Sequence, residues 1–412
     1  MFVVLDEEAE RRLYRLAGTN IGSGPGTLPV LIDEVTAVFN PDEDRVVIRC
    51  QEGEAPHRSF GRDMALPCYI LCGSVPPNSS ELNQIGPFPL LLFDVVKGGG
   101  PALRAYFYTS ESDSAQVCQI EVIRLDTDLF SRVKGIFDTR ILAPKTVAVI
   151  GVGSGGSLGA LELAKSGVGN FILVDFDRLK AHNIVRHVCG IDDIGRFKTR
   201  AVRDAILRHN PQASVVCHEV DITADGELLE QILASSDLVF VATDNELSRY
   251  LINDACLYAG KPAVYGGAYE RAFAGEVIRV IPGEAGCYAC VRQGLANTMR
   301  SISSQQDFDY TDDSDLEAEP GLGLDISFIG LIHAKLALLT LLRDTSSTLE
   351  DIDADMIIWT NSARPQDGEL FERPLVRHFV KVAKFQDCPA CGGDADDLLE
   401  QDGIPEDQGG LL

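Results

Sequence analysis

The order of apolar and polar positions changes character about a third of the way along the chain. From Lys145 the segments KTVAVIG, VGSGGS, LGALELAKSG and NFILVDFD read as strand, glycine turn, helix and strand, a βαβ unit of a parallel sheet. Further strands are predicted at Ser214–Val220, Leu238–Ala242, Ala263–Gly266 and Glu276–Ile281, with helices at Thr199–His209, after Asn245, and near Ile326–Arg343. This alternation predicts an α/β, doubly wound, Rossmann-like domain over residues 131–392. Ahead of it, a helical stretch at Asp6–Leu16 and strand-like runs at Pro29–Phe39, Arg45–Cys50 and Pro89–Val95 predict a small α+β domain over 1–130. The turn-rich pieces IGSGPGTLP and GSVPPNSSELNQIGPFP interrupt it.

Two stretches have too few apolar anchors to pack. SISSQQDFDYTDDSDLEAE predicts a mobile crossing loop at about 295–322, and the acidic, glycine-rich residues 393–412 predict a disordered tail. No internal repeat is found.

A length of 412 residues with 45% hydrophobic content allows more than one core. The 36 basic residues face 62 acidic ones, a formal charge of -26, which argues against a general nucleic-acid or anionic-membrane surface and favours basic partners. No apolar run reaches the roughly 18 residues of a transmembrane helix. The start, MFVVLDEEAERR, lacks a basic n-region and an h-region, so a cytoplasmic chain is expected. Eleven cysteines, four of them in two Cys-x-x-Cys pairs, fit reduced thiols plus a metal better than disulfides.

The first chemical signal is Gly151-x-Gly153-x-x-Gly156, between the strand VAVI and a helix. There, backbone N–H groups and the positive helix end can meet phosphate oxygens. Asp175 ends the next strand 19 residues later (175 − 156), where a carboxylate can accept from ribose hydroxyls. ATP and NAD both fit this turn, and a tight glycine turn without a ligand is the plain alternative. Asn183, Arg186 and Lys198 follow, a cluster suited to developing phosphoryl charge, or else solvated surface charge. After the strand LVFVAT comes Asp244, where a carboxylate can hold Mg²⁺ or cap the next helix. Cys287-Tyr-Ala-Cys290 and Cys388-Pro-Ala-Cys391 have the spacing of a tetrahedral structural Zn²⁺ site; a redox dithiol is the other reading.

GVGSGGS, VDFD, HNIVRH, DIGRFK and VATDN, in this order, resemble the adenylation domain of the ubiquitin-activating-enzyme superfamily, which includes MoeB and ThiF. The resemblance spans about Arg132 to Cys391. It implies that Gly151, Gly153, Gly156, Asp175, Asp177 and Asn183 contact ATP, that Arg186 and Lys198 bind its phosphates, and that Asp244 coordinates Mg²⁺. It also implies a further arginine just before the first Rossmann strand, Arg132 in preference to Arg140, often supplied across a homodimer, and zinc on the paired cysteines. The implied activity is adenylation of the C-terminal carboxylate of a ubiquitin-like or sulfur-carrier protein ending in Gly-Gly, with a downstream thiol carrier or conjugating enzyme.

Many relatives then form a thioester on their own cysteine, but Val291–Ala334 contains none, only Ser327 as a nearby hydroxyl. Cys189, Cys217 and Cys256 read as structural, and His57, Cys50, Cys68 and Cys72 as bystanders. In the N-terminal domain, GSVPPNSSELNQIGPFPLLLFDVV resembles a JAB-type metalloprotease core without its metal-binding histidines. An inactive half of a two-lobed activating enzyme and a dimerisation module are its other readings. For the whole chain the alternatives are adenylation of a peptide or a modified RNA base, an NAD(P)-dependent oxidoreductase, and an inactive scaffold for a ubiquitin-like protein.

Overall fold

The computed structural model describes residues 1–19, 30–32, 35–40, 44–50, 64–72, 89–97, 101–109, 115–124, 129–133, 135–299 and 320–392. They form two compact units, Met1–Arg132 and Val133–Leu412.

In the first unit the order is β1 (Phe2–Asp6), α1 (Glu7–Thr19), β2 (Val30–Leu31), β3 (Val35–Asn40), β4 (Arg45–Cys50), β5 (Met64–Leu66), β6 (Cys68–Cys72), β7 (Leu90–Lys97), β8 (Pro101–Tyr108) and β9 (Gln116–Ile123). The strands form one sheet in the order β2-β6-β7-β8-β9-β1-β4-β3-β5. Acidic residues crowd the first turn of α1, where they favour the helix dipole. Ala9, Leu13 and Ala17, four apart, bury one stripe of α1 against Val3, Leu5, Ile48 and Phe93. The run expected as one strand at Pro29–Phe39 is two, because β2 pairs with β6 while β3 pairs with β4 and β5. His57 and residues 73–88 lie outside the described residues.

The second unit runs β10 (Thr146–Ile150), α2 (Ser154–Lys165), β11 (Asn170–Val174), α3 (Lys198–His209), β12 (Ser214–His218), α4 (Gly226–Ser235), β13 (Leu238–Val241), α5 (Glu246–Tyr258), β14 (Ala263–Ala268), β15 (Ala274–Val280), α6 (Tyr288–Met299), α7 (Gly323–Leu342), β16 (Met356–Thr360) and β17 (Val376–Val380). The sheet order is β12-β11-β10-β13-β14-β15-β16-β17, parallel as far as β14 and antiparallel beyond. β10 is fully covered, and its alternation sends Val147 and Val149 into one core and Ala148 and Ile150 into another. The first core holds Leu163 of α2, Val202 of α3 and Leu336 of α7; the second holds Leu229 of α4, Ile252 of α5 and Tyr288 of α6. Helices therefore cover both faces, and β11 and β13 leave β10 in opposite directions, which opens a crevice at the carboxyl ends of the strands.

β16 and β17 were not apparent from the sequence, since they add to the sheet only through the antiparallel β15. The start of the expected crossing loop at 295–299 belongs to α6, while 300–319 and the tail 393–412 lie outside the described residues. α7 is long and apolar enough by length and composition to cross a membrane, contrary to the expectation that no such segment exists. It lies instead against the sheet, with Ile329, Ala334, Leu336, Ala337 and Leu341 buried.

α7 also carries a buried histidine. His333 lies parallel to the Phe240 ring with centroids 3.5 Å apart, and its Nε2 bonds the Val264 carbonyl at 2.8 Å. Gly266 makes this possible, because a Cβ there would lie 2.2 Å from His333 Nδ1. Burial pushes the His333 pKa down from 6.5 to about 3, against the opposing pull of the Val264 carbonyl. The unfolded chain therefore takes up this proton first, and stability drains as pH falls from about 6.5 to about 3. His333→Leu should cost about 1–3 kcal/mol at pH 7.5. The deficit should shrink or reverse near pH 4, since leucine carries no proton penalty; urea melts at both pH values check this, and a constant deficit contradicts a buried neutral histidine.

Candidate functional site

The sheet edge is shaped first by what glycine permits. Gly151 has φ +86°, and a Cβ on it would lie 2.7 Å from the Ala242 carbonyl; on Gly156, 1.9 Å from the Gly151 oxygen. The end of β10, the end of β13 and the first turn of α2 thus meet at backbone distance. Gly153 and Gly155 have nothing within 4 Å of a Cβ position, so their side of the turn is open space. Gly153 is the N-cap of α2 and makes no side-chain cap bond.

Both carboxylate oxygens of Asp175 accept backbone bonds, from Val152 N–H at 2.8 Å and Asp177 N–H at 2.9 Å. Burial pushes the Asp175 pKa up, opposed by Lys198 and these two N–H groups. Lys198, the first residue of α3, places Nζ 2.6 Å from Asp177 and 3.9 Å from Asp175. The structure therefore brings the turn, both aspartates and Lys198 together. Asn183 is used locally, accepting from Lys180 N–H at 2.9 Å within the 3-10 turn Ala181–Arg186. Half-buried Arg186 ends that turn beside the start of α7, where a Cβ on Gly323 would lie 3.3 Å from the Arg186 Cα. Arg132 is exposed and is the last residue of the first unit, whereas Arg140 is held on Asp138 at 2.8 Å.

Asp244 is exposed two residues beyond Ala242, whose N–H bonds the Ile150 carbonyl at 2.8 Å beside the glycine turn. It does not cap α5, as one reading allowed. Asn245 does, accepting from Leu247 and Ser248 N–H, which leaves the Asp244 carboxylate outside the helix. Arg249, missed from the sequence, holds this loop by donating to the Thr243 carbonyl from Nε at 2.9 Å and Nη2 at 2.7 Å, and to Gly266 at 3.2 Å.

Cys287, Cys290, Cys388 and Cys391 converge, all four sulfurs lying within 4.8 Å of one another. The pairs Cys287–Cys388 and Cys290–Cys391 are 3.7 and 3.4 Å apart. Sulfurs at about 2.3 Å from a tetrahedral zinc would be about 3.8 Å apart, so the cluster matches a metal and not a disulfide. α6 begins at this cluster and is bolted to the start of α5. Tyr288 Oη donates to Glu246 at 2.9 Å, and Arg292 pairs with buried Glu276, which accepts from Tyr269 Oη at 3.0 Å. Cys189 and Cys256 are buried, and burial pushes each thiol up to about 12; the thiol of Cys217 is pushed up for the same reason.

Residues 130–358, more than half of the chain, match the ThiF family. The chain belongs to that family. It is similar to a probable adenylyltransferase/sulfurtransferase MoeZ of Mycobacterium tuberculosis, 37% identical over 151 residues, 36% of this chain and 38% of that one. It is also similar to the SAMP-activating enzyme E1 of Haloferax volcanii, 34% identical over 153 residues, 37% of this chain and 54% of that one. The chain thus spans well under two thirds of the length of these relatives. A crystal structure of Escherichia coli MccB with ATP covers 65% of this chain and 75% of that one at 19% identity and a TM-score of 0.48.

The ThiF-family turn contains glycines of two kinds, and substitution should separate them. Gly156→Ala should cost about 3 kcal/mol or more, because backbone must move. Gly153→Ala should stay within about 0.5 kcal/mol, since its Cβ enters open space. Equal destabilisation in urea melts would contradict this division.

Proposed function

We propose that this chain catalyses Mg²⁺-ATP-dependent adenylation of the C-terminal glycine carboxylate of a ubiquitin-like or sulfur-carrier protein. The observation that carries the reading is the convergence, at one sheet edge, of an open glycine turn, two aspartates held with Lys198, and the exposed, loop-anchored Asp244. In this reading the partner's carboxylate oxygen attacks the α-phosphorus of ATP; the new O–P bond forms as the bond to pyrophosphate breaks, and the electron pair leaves with pyrophosphate. The turn's N–H groups and Asp175 seat the nucleotide, Arg186 and Lys198 offset charge on its phosphates, and Asp244 would hold Mg²⁺ against them. Arg132 supplies a further cation in a homodimer. The curated names of the relatives, an adenylyltransferase/sulfurtransferase and a SAMP-activating enzyme, support the same chemistry.

The cysteine cluster holds one structural zinc in this proposal, since four protein ligands leave no position open for substrate. It ties together residues 101 positions apart and fixes the start of α6. The buried thiols of Cys189 and Cys256 are poor nucleophiles, which favours consumption of the adenylate by a separate thiol carrier or conjugating enzyme. Four described cysteines gathered for a metal and five further unpaired ones suit a reducing, cytoplasmic setting better than a disulfide framework.

ATP–pyrophosphate exchange with small Gly-Gly-ending partners should require the partner's terminal carboxylate and fall roughly 100-fold or more in Asp244→Ala. Intact ATP binding with no exchange for any such partner would remove this substrate class. Metal analysis should find about one zinc per chain, lost together with thermal stability in Cys290→Ser; a metal-free, equally stable wild type would exclude the zinc.

A further inference from the structure

We propose that His187, as a neutral imidazole, is a positioning residue that aims the Gly153 N–H of the glycine turn into the nucleotide site. The proposal rests on the reading of that turn as a nucleotide site. Both backbone polar groups of fully buried Val152 are fixed: its N–H donates to Asp175 at 2.8 Å, and its carbonyl accepts from His187 Nε2 at 3.0 Å. On its other side the ring accepts at Nδ1 from Cys189 N–H at 3.1 Å. An accepting Nδ1 places the single proton on Nε2, so the two bonds together select one tautomer.

The Val152 carbonyl shares a planar trans peptide with the Gly153 N–H, so the two point in opposite directions. Anchoring the carbonyl on His187 therefore turns the Gly153 N–H the other way. That N–H has no hydrogen-bond partner among the described residues, and nothing lies within 4 Å of the Gly153 Cβ position. A backbone donor held in one orientation beside open space at a helix N-terminus is what a phosphate oxygen requires. Because His187 directly follows Arg186, the same brace also fixes the register of the arginine-bearing segment against the turn.

The surroundings oppose a second proton. Burial pushes the His187 pKa below its usual value, the Val152 carbonyl pulls it up, Lys198 of α3 pushes it down, and Asp193 of the turn Ile191–Asp193 pulls it up. Arg186 precedes it in the chain, and Asp175 bonds the N–H of the same Val152. A protonated ring would place an N–H at Nδ1 against the Cys189 N–H and lose that bond. Protonation leaves Nε2–H donating to Val152 but removes the Nδ1–Cys189 bond, so the ring is held on both sides at neutral pH and loses one of its two anchors as pH falls below the ordinary histidine range, through the depressed folded value.

The test is Mg²⁺-ATP binding by calorimetry on the full chain from pH 8 to pH 5, for wild type, His187→Ala and His187→Gln, with ¹⁵N-imidazole NMR of the wild type. His187→Ala should weaken binding about tenfold or more at pH 7.5. His187→Gln, whose amide can donate to Val152 without titrating, should recover to within about threefold and hold its affinity at acid pH better than wild type. The NMR should show the Nε2–H tautomer. Wild-type affinity in a folded His187→Ala, equal acid loss in His187→Gln, or an Nδ1–H or doubly protonated ring at pH 7.5 would each overturn the brace. No ATP binding by wild type would instead sink the nucleotide reading on which it rests.

Discussion

The rest of the site depends on a backbone contact that only glycine allows. With the Gly156 Cβ position 1.9 Å from the Gly151 oxygen, the first turn of α2 can sit directly on the end of β10. That approach leaves α2's terminal N–H groups beside the crevice and brings the Gly151 position to within 2.7 Å of Ala242. Asp175 then reaches Val152, and the loop after β13 carries Asp244 to the same edge. Each further contact is a consequence of parallel pairing of β10 with β11 and β13. The sheet supplies the position and the glycines supply the clearance.

Similar clearance recurs in the core beneath. A Cβ on Gly159 would lie 2.2 Å from the Phe240 ring, and Phe240 in turn stacks on His333, for which Gly266 makes room. Two glycines and an aromatic pair therefore set the spacing of α2 and α7 from the sheet. Close packing at native density makes such positions intolerant of even one methyl group. The buried histidine adds a pH-dependent term to a core that is otherwise apolar.

On the opposite face the cysteine cluster performs the same task with side chains. It joins the start of α6 to the segment after β17, and Tyr288, Arg292, Glu246 and Glu276 extend that anchor to the first turn of α5. The loop bearing Asp244 is therefore held between Arg249 on one side and the α6 anchor on the other. In its proposed role toward Mg²⁺ Asp244 would depend on this support, because no bond from another described residue orients its side chain.

Local pattern was enough for the βαβ unit, the glycine turn and the strand ends at Asp175 and Asp244, because hydrophobic period and glycine spacing are properties of short segments. The two cysteine pairs were legible for the same reason, each being a chelating turn within four residues. Tertiary structure decided what depends on distant partners. β16 and β17 exist as strands because β15 offers an antiparallel edge, and Asn245 displaced Asp244 as the helix cap through bonds that spacing alone does not select. His187, Arg249 and Arg292 owe their roles to carbonyls and carboxylates far along the chain, which no local window contains. The sequence by itself determined which backbone can turn and which residues carry charge; the fold decided which of those charges meet, since that is set by strand order and close approach.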